Sequence, residues 1–136
     1  MNNKIFLTWQ DIENDVKKFT ANKKYTNVKN IYGIPRGGLV IAVLVSHYLN
    51  KPLITSVKDI TKDTLIVDDI SDSGVTLKNL FKTFPRRKKP KVFTSWIGPK
   101  TKFTPDYFFY VKRKNDWIVF PWETLKTSKL DRINKK

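Results

Sequence analysis

Apolar and polar positions fall into blocks whose period changes several times along the chain. After Thr8, the apolar residues Trp9, Ile12, Val16 and Phe19 recur at helical spacing, and Asn22, Lys23 and Lys24 close the stretch. Thr8 with Asp11 three positions on has the layout of a capping box, Asp standing in for the usual Glu or Gln. Residues 28–34 (VKNIYGI) predict a buried strand that runs into Pro35, Arg36, Gly37 and Gly38. Residues 39–49 are then apolar on nearly every side, as in a helix packed against a sheet. A short strand is predicted over 53–57 (LITSV), and residues 58–63 join it to a further strand at 64–67 (TLIV). Val75, Leu77, Leu80, Phe81 and Phe84 return to helical spacing, residues 85–91 form a basic loop, and 91–97 (KVFTSWI) read as another strand. The last third, rich in aromatics and prolines, predicts short strands and turns. Strands alternating with helices through short links argue for an α/β fold with a mainly parallel sheet flanked by helices on both faces. Ligands of such sheets sit at the carboxyl ends of the strands.

With 136 residues the chain suits a single domain spanning 1–136, with apolar content for one core. No apolar window approaches a membrane span, and the N-terminus lacks a basic-then-apolar leader pattern, so a cytoplasmic protein without membrane contact is expected. The absence of cysteine excludes disulfides, thiolate zinc sites and cysteine nucleophiles. The formal net charge of +15 opens the possibility of a nucleic-acid partner. Lysine carries most of it, the arginines being Arg36, Arg86, Arg87, Arg113 and Arg132, and a substrate bearing several phosphates would be drawn to the same basic surface. The basic run at 85–91 reads as a solvated loop in preference to a phosphate-tracking patch.

The candidate chemistry concentrates in residues 64–77, TLIVDDISDSGVTL. A hydrophobic strand ends at two adjacent carboxylates, Asp68 and Asp69, which in water would repel each other by about 1 kcal/mol at ~4 Å. Such a pair does nothing for a fold, but it can accept from a vicinal diol or attract a divalent cation. Ser73 and Gly74 open a helix, whose unpaired amides and positive dipole end suit a phosphate. The hydroxyls of Ser71, Ser73 and Thr76 can donate to phosphate oxygens, and Gly74 lets the main chain approach closely. Diol, metal and phosphate together indicate a sugar phosphate. Gly37 and Gly38 at the start of the preceding helix form a second backbone anion site, with the forked charge of Arg36 beside it.

Hydrophobic strand, two acids, two residues, Asp, Ser, Gly, one residue, Thr: this order resembles the phosphoribosyl pyrophosphate (PRPP) signature of the type I phosphoribosyltransferases. The resemblance runs from about residue 31 to 123. It implies that Asp68 and Asp69 hold the ribose hydroxyls directly or through Mg²⁺, with Asp69 the principal metal ligand. Ser71, Ser73, Gly74, Val75 and Thr76 would cradle the 5′-phosphate. Arg36, Gly37 and Gly38 would take the pyrophosphate on a loop with a non-proline cis peptide between Pro35 and Arg36. Asp72, the remaining acid–base group of the signature loop, is the candidate for proton handling and for stabilising positive charge on the sugar.

Asp106-Tyr107-Phe108 and residues 115–123 (NDWIVFPWE) resemble the C-terminal segment of the xanthine/guanine/hypoxanthine phosphoribosyltransferases, where a hood covers the base. The hood would span residues 98–125, ahead of a basic tail at 126–136. By that resemblance Trp117 stacks on a purine and the Ile118 main chain meets its edge; Phe120 and Trp122 read instead as part of an aromatic core cluster. A lysine that contacts the base in this group maps to Gly98, with Lys100 and Lys102 nearby as substitutes. Residues 58–63 are shorter than the mobile loop that many relatives carry there. The implied reaction joins PRPP and a purine base, and the implied assembly is a homodimer or homotetramer. Two rivals stand beside it: a PRPP- or nucleotide-sensing regulator that binds RNA or DNA, and a transferase for another base.

Overall fold

The computed structural model describes residues 3–85 and 89–124, so Arg86 and Arg87 of the basic loop, and the tail at 126–136, lie outside the described residues. Among the described residues, seven strands and three α-helices follow the order β1 (Asn3–Phe6), α1 (Trp9–Ala21), β2 (Asn30–Gly33), α2 (Gly37–Leu49), β3 (Leu53–Ile54), β4 (Thr64–Ser71), α3 (Val75–Lys82), β5 (Lys91–Ile97), β6 (Tyr110–Val111) and β7 (Asp116–Val119). Five strands form one parallel sheet in the order β3-β2-β4-β5-β6. β1 and β7 form a separate parallel pair, with Lys4 opposite Trp117 and Ile5 opposite Ile118.

Helices cover both faces, as the alternating pattern predicts. On one face Ile12, Val16 and Phe19 of α1 and Ile41, Ala42 and Val45 of α2 pack with Ile31, Leu65, Val67 and Phe93 of the sheet. On the other, Leu77 of α3 joins Tyr32, Ile66, Val92 and Ile60. Fully burying side chains of this size stabilises by roughly 1.5–3 kcal/mol each. α2 packs against the sheet as its apolar sequence predicts, and its outer face leaves Val43 and Tyr48 exposed. Gly33 is required beneath that helix, since a Cβ there would lie 2.6 Å from both Ala42 Cβ and Leu39 Cα.

α1 starts as its sequence dictates. The Thr8 side chain accepts from the Asp11 amide at 3.1 Å and Asp11 Oδ2 accepts from the Thr8 amide at 2.8 Å, a reciprocal cap of which the Thr8 part contributes about 1 kcal/mol. Its first apolar residue, Trp9, stands apart from the buried face and meets Trp122 at 5.9 Å between ring centroids. The buried face also carries an acid, Asp15, which accepts from the Tyr110 hydroxyl at 2.7 Å.

Burial holds the Asp15 carboxyl above its ordinary 3.8, more than its Tyr110 hydrogen bond and nearby Lys18 lower it. Burial and its hydrogen bond to Asp15 push Tyr110 up to about 12. A raised folded-state value means that protonation of Asp15 favours the fold. That contribution is present in full below 3.8 and is lost as pH rises through the folded value. Asp15→Asn, which keeps an oxygen for Tyr110 without the charge, is therefore expected to raise Tm by a few degrees at pH 7. The gain should shrink as pH falls toward 4. A lower Tm for the variant at pH 7 would show that the charged hydrogen bond outweighs desolvation.

The link between β3 and β4 is a single 3₁₀ turn over Val57–Asp59, followed by Ile60, which is 0 % exposed and packed in the second core. Next to it the Thr61 amide donates to Thr64 Oγ1 at 2.9 Å, and that hydroxyl donates to Asn30 Oδ1 at 2.6 Å. The short connection expected here is thus fastened to the sheet at its β4 end. Among the described residues no helix is long and apolar enough to cross a membrane.

Candidate active site

β4 carries the acidic pair, and it carries it further inside the sheet than the sequence suggests. All eight residues of Thr64–Ser71 are buried, and the strand lies between β2 and β5. The expected end of the strand at Val67 is corrected by its register: Asp68 faces Thr94, Ile70 faces Trp96 and Ser71 faces Ile97 across β5. Asp68 is 1 % exposed and Asp69 4 %. Each carboxylate is oriented by the next main-chain amide, Asp69 N–H donating to Asp68 Oδ1 at 2.9 Å and Ile70 N–H to Asp69 Oδ1 at 2.8 Å.

The glycines at the start of α2 pack directly on these carboxylates. A Cβ on Gly37 would fall 2.0 Å from Asp69 Oδ2, and one on Gly38 would fall 2.6 Å from the Val67 carbonyl and 3.0 Å from Asp68 Oδ1. Only glycine lets the first turn of α2 close onto β4 this tightly. The Pro35–Arg36 peptide is cis, as the family resemblance implies, and Arg36 caps α2 with its side chain exposed. The anion-competent segment 36–38 and the acidic pair 68–69 therefore meet in one place.

Trp122 belongs to the same place, which sequence reasoning missed. Its ring stacks on Phe120 at 5.0 Å, as an aromatic cluster requires. Its Nε1, however, is buried without a hydrogen-bond partner and stands 3.1 Å from where a Gly37 Cβ would be. An indole donor at that contact is suited to an anionic ligand oxygen.

Beyond Ser71 the chain turns into α3 around a recess lined by Asp68, Ile70 and residues 71–77. The Val75 amide donates to Ser73 Oγ at 3.3 Å, and Asp72, Ser73 and Thr76 are half-buried. Gly74, with φ +83°, is required twice, since a Cβ there would also lie 2.5 Å from the Phe103 amide nitrogen. The missing side chain thus makes room for the neighbouring 101–103 turn. Ser71 departs from its expected part among the phosphate donors. It is 2 % exposed, and its Oγ donates to the Phe103 carbonyl at 2.8 Å and pairs with Thr101 Oγ1 at 2.9 Å. Its hydroxyl fastens the 101–103 turn against the recess.

Asp72 rests on Gly98: a Cβ at Gly98 would come within 2.2 Å of the Asp72 carbonyl and 2.6 Å of Asp72 Oδ1. No side chain fits between them, and Lys100 and Lys102 both lie exposed. The lysine that meets Asp72 is Lys112, whose Nζ is 3.3 Å from Asp72 Oδ1 and donates to the Asp116 carbonyl at 3.0 Å. No local pattern marks Lys112, which is one of many lysines in a basic chain.

Asp116 opens β7. The Arg113 guanidinium, at 3.0 Å, and the Arg113 amide hold its carboxyl below the usual carboxylate range, against some desolvation. Trp117 and Ile118 follow it and alternate in the strand. Ile118 is 0 % exposed in the first core, while Trp117 is half-buried. The expected base-stacking residue thus lies one position beyond the carbonyl that Lys112 grips.

No family model matches the chain. Among curated proteins it is similar to the xanthine-guanine phosphoribosyltransferase of Idiomarina loihiensis, 28 % identical over 90 % of this chain and 88 % of that protein. Among solved structures it is similar to a purine phosphoribosyltransferase from Pyrococcus horikoshii, with TM-score 0.78 and 29 % identity over 90 % of this chain and 96 % of the other. The Helicobacter pylori xanthine-guanine-hypoxanthine phosphoribosyltransferase shares the fold, with TM-score 0.76 and 19 % identity over 97 % and 99 % of the two chains.

Proposed function

We propose that this chain, a type I phosphoribosyltransferase of the purine group, transfers the 5-phosphoribosyl group from PRPP to guanine, xanthine or hypoxanthine. The products are a nucleoside 5′-monophosphate and pyrophosphate, as purine salvage requires. The observation that carries this reading is the packing of Gly37 against Asp69 and of Gly38 against Asp68. It puts an anion-binding helix start against a diol- or metal-binding carboxylate pair, which is what a ribose bearing a pyrophosphate asks of a site.

In this reading the 5′-phosphate occupies the recess at the start of α3, held by Ser73, Gly74, Val75 and Thr76, with Ser71 fixing the wall behind it. Pyrophosphate lies at Arg36, Gly37 and Gly38, with Trp122 Nε1 as a further donor. Among the described residues no cluster of three or more His, Cys, Asp or Glu could hold a metal by itself. Mg²⁺ fits nonetheless, because it keeps several waters and takes one or two carboxylates together with substrate phosphates. Asp69, with Asp68, would hold it, and when bound it neutralises charge on the departing pyrophosphate.

A ring nitrogen of the base attacks the anomeric carbon, and the bond to pyrophosphate breaks with its electron pair leaving on the phosphate oxygen. The proton of the base passes to Asp72. No protein nucleophile takes part, and the chain contributes position and electrostatics. Trp117 supplies a flat apolar face to the base.

Pyrophosphate release from Mg-PRPP in the presence of single free bases tests the proposal, with turnover expected for the oxopurines. The stacking role is tested by Trp117→Ala. Base–aromatic stacking contributes about 1–3 kcal/mol, so KM for the base should rise by about 10- to 100-fold while KM for PRPP holds. Absence of turnover with every base, together with RNA or DNA binding that survives physiological salt, would overturn the reading in favour of a PRPP-sensing regulator.

A further inference from the structure

A lysine side chain ordinarily keeps its ammonium in water. Lys112 is drawn further in than most: its side chain is 11 % exposed, while that of its partner Asp72 is 29 % exposed. The more buried member of the pair is the cation. Its ammonium lies 3.3 Å from Asp72 Oδ1 and 3.0 Å from the Asp116 carbonyl oxygen, bridging the loop after β4 to the head of β7. Its main chain is fixed as well, since the Lys112 amide donates to the Ile97 carbonyl at 3.0 Å.

Stability does not explain this arrangement. Taking an ammonium out of water to pair with a carboxylate roughly breaks even against an apolar side chain of the same size. The pair does, however, determine where Asp72 can be. From beneath, Gly98 admits the Asp72 backbone so closely that a Cβ would lie 2.2 Å from its carbonyl oxygen. From the side, Lys112 takes Oδ1. Resting on the transferase reading above, we propose that Lys112 is the positioning residue for Asp72. It holds that carboxylate in the orientation needed to receive the proton of the base, and it joins that orientation to the strand bearing Trp117.

A double-mutant cycle between Asp72→Asn and Lys112→Met tests this, Met keeping much of the apolar stem. Coupled neighbours in such cycles interact strongly enough to change an equilibrium by about 2- to 150-fold. Lys112→Met alone should lower kcat by about 10- to 100-fold and leave KM for PRPP within twofold of wild type. Lys112→Arg should recover most of kcat. In the Asp72→Asn background the Lys112→Met change should alter kcat by less than twofold, because the group it positions is already gone. An equal loss in both backgrounds, or failure of Arg to rescue while the Tm of Lys112→Met falls, would overturn the role. If Lys112→Met does not fold, Lys112→Gln carries the same cycle with a neutral donor. Wild-type protein that turns over no base would sink the transferase reading and this role together. Wild-type turnover with an additive cycle would sink only the role of Lys112.

Discussion

Asp72→Asn is expected to lower kcat by about 10²- to 10⁴-fold, the usual contribution of a positioned proton acceptor, while PRPP binding is retained. The substitution preserves the shape of the side chain and leaves its seat on Gly98 intact. It removes the charge that pairs with Lys112 and that would receive the proton of the base. The contact between Gly37 and Asp69 does not involve Asp72, and the recess at the start of α3, which Asp72 helps to line, keeps its shape when the carboxylate becomes an amide of the same size. Calorimetry with Mg-PRPP should therefore return a Kd close to that of wild type, and the loss should appear in single-turnover rates with base. Unchanged turnover would remove Asp72 from the reaction.

Gly37→Ala should do the reverse, abolishing measurable PRPP binding while the chain still folds. The added methyl would lie 2.0 Å from Asp69 Oδ2 and 2.8 Å from its carboxyl carbon. Asp69 cannot simply retreat, because it sits on a buried central strand with Oδ1 held by the Ile70 amide. Relief requires the carboxylate to rotate out of place or the start of α2 to lift, and either change separates the groups proposed to hold ribose and pyrophosphate. We expect a loss of at least about 100-fold in PRPP affinity, or roughly 2.7 kcal/mol. Gly38→Ala serves as the contrast, since its methyl would meet the Val67 carbonyl at 2.6 Å, main chain that cannot rotate away. That variant should lose more Tm than Gly37→Ala. Wild-type PRPP affinity in Gly37→Ala would mean that the pyrophosphate lies elsewhere.

What the sequence disclosed follows from how far apart the cooperating residues lie. The order of acids, hydroxyls and glycine in 64–77 is local, so strand, recess and helix start could be read from spacing, as could the capping box at Thr8. Carboxylates are poor strand residues, and β4 runs past the boundary that its composition predicts. Pairing with β5 on one side and β2 on the other overrides that preference. Asn3–Phe6 is too short to show a period, and it becomes a strand only because β7, more than a hundred residues later, supplies its partner. Lys112 was hidden for the same reason, its significance lying in Asp72 and Asp116 and not in its neighbours. Ser71 carries the type of side chain a phosphate site wants, but the chain brings Phe103 and Thr101 to it first.

The link between β3 and β4 bears on how the proposed reaction would be governed. In many enzymes a segment closes over the reactants, imposes an order of arrival and shuts out water. Ile60 seats this link in the second core and leaves only the short turn Val57–Asp59 exposed, too little chain to cover the reactants as a long closing segment does. Water would then compete with the base for the anomeric carbon on nearly equal terms of access. The balance between productive transfer and futile loss of PRPP would then depend on how long a base stays on Trp117, and so on the supply of free base.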